Sequence, residues 1–171
     1  MFESEADLDR ADWPLLRDGA VNLFWNPEIL VEARRALSAI GYDVAEISCE
    51  RGWESFAQQL SPLLNWEAQF GYAPWTGNLN ALNEGLREYP FGPSRRSALI
   101  LSGFHTLVGA DKTASHGVLD LLESHARDHL LFGNTLIVLV QTKDNRFECP
   151  DIGGRRASWN HKEWFNKNRG L

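Results

Sequence analysis

His125 and His129 lie four residues apart in a stretch with helical spacing, which would put both imidazoles on one face. Such a pair can supply two metal ligands. No third ligand sits at a diagnostic spacing, so the pair reads as a half-exposed helix face. His116 and Asp120 share that separation and that standing. Gly103 and the run Gly109-Ala110-Asp111-Lys112-Thr113 follow an apolar stretch, as a phosphate loop does. Glycine must directly precede the lysine for the backbone to wrap a phosphate, and here Asp111 does. There is no Gly-x-Gly-x-x-Gly after a strand and no Gly-x-Ser-x-Gly elbow. Cys49 and Cys149 form neither a disulfide framework nor a zinc pattern, and neither has a local catalytic signature. Arg155-Arg156-Ala157-Ser158-Trp159 combines basic and aromatic groups as nucleic-acid binders do; a solvated, partly docked tail is the reading it favours. No catalytic residue, no metal and no cofactor is expected.

A different kind of chemistry is spelled by Phe70 to Pro90, an aromatic stretch followed by a short helix. Leu79, Leu82 and Leu86 make a core stripe, so Asn80, Asn83 and Glu84 fall on a neighbouring, outward face. Short polar side chains beside Trp75 suit a surface that binds a partner better than a cleft that transforms a substrate.

The elements that must position this segment alternate along the chain. Val21–Trp25, Val44–Ser48, Ala98–Ser102 and the β-branched Thr135–Val140 read as strands, the last as the central one. Between them, Asn26-Pro27-Glu28 caps a helix that ends at Gly41, and Trp53, Phe56, Ala57, Leu60 and Leu63 mark a second. Residues 65–77 read as a long aromatic loop, Asn78–Glu88 as a third helix and Ala114–Leu131 as a fourth. Strands alternating with helices imply a mostly parallel sheet with right-handed crossovers. Residues 1–20 read as a polar lead-in with Trp13-Pro14-Leu15-Leu16 as its one apolar spot, and 143–171 as an irregular, basic, Trp-containing tail. Ends of this kind, 1–12 and 160–171, are expected to add little stability.

Composition narrows the class. The 171 residues are 43% hydrophobic and 23% charged, as in an ordinary globular domain, and the net charge is −6. Residues 1–142 hold ten basic and nineteen acidic groups, whereas 143–171 hold seven basic and four acidic ones. An acidic body repels nucleic acid and favours a basic protein. No apolar run reaches the length of a membrane span, and the acidic start is unlike a signal peptide. Cytoplasmic localisation is the expectation, with no membrane, nucleic-acid or small-molecule partner.

The segment Asn78-Leu79-Asn80-Ala81-Leu82-Asn83-Glu84, closed by Tyr89-Pro90, resembles the barstar-like intracellular inhibitors of ribonucleases. That family has Asn-Leu-Asp-Ala-Leu-x-Asp opening its recognition helix and Tyr-Pro closing it. The order of elements from about Val44 to Thr142 is also similar, so the likeness covers roughly 100 of 171 residues. Asn80 stands where the family has its first aspartate, and Glu84 where it has the second. The resemblance implies a barstar-like α/β fold with three to four strands, preceded by a strand–helix extension over 21–41. It implies a non-enzymatic ribonuclease inhibitor, an immunity protein or antitoxin, binding through Trp75, Asn80, Asn83, Glu84, Glu88, Glu123 and Asp128. Carboxylates on that helix would stand in for phosphate in a basic active site. The alternative is the same fold used as an interaction or regulatory module with a non-nuclease partner.

Overall fold

A computed structural model describes residues 10–155 and 157–171. Met1–Asp9, within the polar lead-in, and Arg156, within the basic run of the tail, lie outside the described residues. The elements in chain order are α1 (Trp13–Leu16), β1 (Val21–Phe24), α2 (Pro27–Ala39), β2 (Asp43–Ser48), α3 (Gly52–Leu63), α4 (Trp66–Phe70) and α5 (Leu79–Arg87). They continue with β3 (Arg96–Ser102), α6 (His105–Ala110), α7 (Lys112–Leu131), β4 (Thr135–Gln141) and β5 (Ser158–Trp159).

All strand pairs are parallel, in the order β2-β3-β4-β1-β5, with β4 central as its β-branched sequence predicts. One row of side chains runs Ala45, Leu99, Val138, Val21 across four strands and faces α3, α5, α6 and α7. The next row, Ile100 and Leu139, faces α1 and α2 with Phe24, Leu30 and Leu37. Burial on both sides is what near-continuous apolar strands require. The placement of α2 follows from handedness. The chain steps from β1 to β2 in one direction along the sheet and from β2 through β4 in the other. Right-handed crossovers then put the connecting helices on opposite faces.

Asn26 caps α2 as its sequence predicts, its side-chain oxygen accepting from Glu28 N at 2.8 Å. The apolar spot of the lead-in folds as α1. Leu15 of α1 is buried, and the Tyr42 hydroxyl donates to Asp12 at 2.8 Å in a closed pocket. Burial, and then Asp12, push the Tyr42 phenol well above its ordinary range.

Two expectations are corrected. Residues 65–77 are not all loop, because α4 forms at Trp66–Phe70 between left-handed Asn65 and Gly71. The strand count is five rather than three to four, since Ser158–Trp159 of the tail pairs with Asn22 and Leu23. Beyond β5 the tail is tied in further. Glu163, fully buried, accepts from Trp25 N at 3.2 Å and Asn26 N at 2.7 Å, and Asn160 donates to it as well. Arg169, 6% exposed, stacks on Trp159 at 4.5 Å and donates to the carbonyls of Asn145, Glu163 and Trp164. The segment 160–171 is thus not held by the few contacts expected of a polar terminus, since three of its polar side chains, Asn160, Glu163 and Arg169, are buried and bonded.

Candidate functional site

The segment singled out by its residue types folds as α5, a helix capped by Asn78, whose side chain accepts from Asn80 N at 2.9 Å and Ala81 N at 3.2 Å. Its inner face is Leu82, Gly85 and Leu86, all buried, with Leu79 partly buried against the same core. Two glycines let neighbours come close. A Cβ at Gly85 would lie 2.6 Å from the Trp66 ring of α4, and one at Gly117 of α7 would lie 2.6 Å from a Leu79 methyl. A larger residue at Gly85 would have to displace the Trp66 ring or α5 itself, whereas at Gly117 the Leu79 methyl would have to swing aside.

On the outer face, Asn80, Glu84 and Glu88 are exposed. Asn83 is half-buried at the junction with α7, where His125 Nε2 donates to its side-chain oxygen at 2.9 Å. One turn on, His129 Nε2 donates to the Leu86 carbonyl at 2.9 Å, satisfying an acceptor at the end of α5. The two histidines are 6% and 8% exposed, which corrects their reading as a half-exposed pair; they fasten α5 to α7. Burial lowers the His125 pKa below its ordinary value, His129 and Arg87 lower it further, and Asp128 opposes them. Asp128 is exposed and three residues beyond His125, so it borders the same junction.

The expected site residues thus divide. Asn80, Glu84 and Glu88 lie on the exposed side of α5, Asn83 at its junction with α7, and Asp128 beside that junction. Trp75 does not offer apolar area there, being 2% exposed. Its ring packs edge-on against Phe56 and Trp53, its backbone N–H donates to Ser61 Oγ at 2.7 Å, and its indole donates to Asn78 O at 2.8 Å. Glu123 is likewise absent from the face. It is 4% exposed, and one carboxylate oxygen accepts from Ala20 N at 2.8 Å and Val21 N at 2.9 Å, bracing the entry to β1. Its spacing from Leu119 and Ala126 on α7 carries that signal.

Other residues at the face escape a reading based on carboxylates. Arg87 pairs with Glu84 at 3.0 Å, one turn along α5, so the charge at 84 already has a local partner. Leu131 and Phe132, at 81% and 72% exposure, extend the α7 side with apolar surface three and four residues past Asp128. Among the described residues no group of three or more His, Cys, Asp or Glu side chains converges, and no helix is long and apolar enough to cross a membrane. No family model matches the chain, and neither the curated proteins nor the solved structures searched contain a match.

Proposed function

We propose that this chain is a non-enzymatic, barstar-like inhibitor that binds and blocks the basic active site of a ribonuclease or ribonuclease-like toxin. The observation that carries this reading is the outer face of α5, where Asn80, Glu84 and Glu88 stand in solvent on a helix whose other side is buried. The fastening of α5 by His125 and His129 supports it, because a helix already held in place loses little freedom on binding. The run of β2, β3 and β4 as adjacent parallel strands, with α3, α5 and α7 on one face, is also consistent with it. Carboxylates at 84, 88 and 128 suit arginine, lysine and histidine side chains that otherwise hold phosphate.

The test is capture from native cytoplasm on immobilised wild-type protein, with a Glu84→Ala/Glu88→Ala column beside it. The wild-type column should retain a ribonuclease whose activity falls when free wild-type protein is added. A captured protein without nuclease activity would favour an interaction or regulatory module instead. Equal retention on both columns would remove α5 from the interface.

A further inference from the structure

Beside α5 lies a cavity of about 460 Å³ between the first turn of α3, the segment 74–77 and the start of α7. Half-buried Trp53 gives it an aromatic wall, backed by Trp75, which is 2% exposed, and Pro74 and Gly77 line the side that leads into α5. Its charged lining residues are Glu54 and Asp111, with no lysine, arginine or histidine among them. Both carboxylates are exposed, and neither takes part in an ion pair among the described residues. Asp111 caps α7 through Oδ1, which accepts from Ala114 N at 2.9 Å. The Trp75 indole is fixed by its bond to Asn78 O, and Trp53 is held edge-on between Phe56 and Trp75. The walls are therefore preset. From Pro74 a second hollow, of about 750 Å³, continues between α3 and α4, with Glu67 as its one charged lining residue.

We propose that the first cavity is an arginine subsite, taking the guanidinium of an arginine in an extended segment of a basic protein partner. A flat cation that stacks on the Trp53 indole while its N–H groups reach Glu54 and Asp111 matches this lining on both counts. The second hollow gives room to the residues flanking that arginine, again without a repelling cation. The inference deepens the reading of α5 as a face for a basic protein and rests on it for the nature of the partner. The preference of the cavity for a guanidinium is testable without that partner.

The blocked peptide Ac-Gly-Arg-Gly-NH2 is titrated into the ¹⁵N-labelled full chain, and the indole N–H resonances are followed by NMR. Trp53→Phe and Trp75→Phe assign the two signals. The expected result is a saturable shift of both, absent with Ac-Gly-Glu-Gly-NH2. In Glu54→Gln/Asp111→Asn, where asparagine keeps the cap, the affinity should fall at least tenfold. No shift in the wild type, or an unchanged isotherm in the double variant, would overturn the proposal. Should the double variant lose its fold, Glu54→Gln alone decides by the same criterion, with a threefold loss expected. Failure here with selective capture by α5 intact would remove only the subsite. Arginine binding that survives while the two columns retain partner equally would remove only the reading of α5.

Discussion

At position 84 a carboxylate stands in solvent with Arg87 beside it, and at 123 the same group is sealed under two backbone N–H donors. Their substitutions should part accordingly. With a partner in hand, Glu84→Ala should weaken binding by about 2 kcal/mol, because a cation buried at the interface loses its counter-charge. Its unfolding midpoint in urea should match the wild type. Glu32 on α2, ion-paired with Lys162 on the far side of the sheet, is the matched control, and Glu32→Ala should leave binding unchanged. Glu123→Ala should do the reverse, costing about 2–4 kcal/mol of stability by stranding Ala20 N and Val21 N, with partner binding kept in the folded fraction. A Glu123→Ala protein as stable as wild type would show that water replaces the carboxylate. Periodicity separated Leu82 and Leu86 from Asn80 and Glu84 because α5 has one wet face. The resemblance placed Glu123 on the binding face; its spacing from Leu119 and Ala126 points inward, whereas the groups that hold it, Ala20 N and Val21 N, lie about a hundred residues away and leave no local trace.

The junction of α5 with α7 is set by two buried imidazoles, His125 bonded to Asn83 and His129 to the Leu86 carbonyl. The folded state lowers the His125 pKa, so the unfolded chain binds more protons as pH falls below the ordinary histidine value of about 6.5. Stability attributable to His125 is thus present above that value and lost as pH descends through it towards the lowered folded value. Urea unfolding at pH 7 and pH 5 should show a drop in the wild type that His125→Gln reduces; an identical drop in both would place the titration elsewhere. The tail invites a second measurement at this scale. Deleting residues 160–171 removes Glu163 from Trp25 and Asn26 and Arg169 from Trp159, and should cost about 3 kcal/mol or more. The thermal midpoint should fall by roughly 6 °C or more. The tail's order was illegible because β5 is two residues long, too short for any alternation to appear. By contrast β4, with seven residues and five of them buried, announced itself.

Across the whole molecule the parallel α/β architecture was legible from the alternation of four apolar strands with three long helices, although pairing order was not. Nothing local in Val21–Phe24 says that it inserts between β4 and the tail rather than beside β2. That choice is made by the crossover rule and by which faces remain to be covered. The charge is a molecular property too. With nineteen acidic and ten basic groups over residues 1–142, the chain should not retain RNA on a filter at physiological salt. A tight, salt-sensitive RNA complex would shift attention to the basic segment 143–171. Association with a basic protein should slow as salt rises from 50 to 500 mM, since screening shortens the reach of the acidic body.

The position of β1 between β4 and β5 has a consequence during synthesis. Val21–Phe24 leaves the ribosome early, yet its neighbours on both sides are translated late, and Asn160 reaches back 137 positions to bond Leu23. Until Thr135–Gln141 emerges, the strand has no sheet to join. A product cut short before Ser158 would fold with β1 as an open edge, a ready template for another unfinished chain. Such a truncated chain would therefore be prone to self-association, the kind of species that holdase chaperones capture.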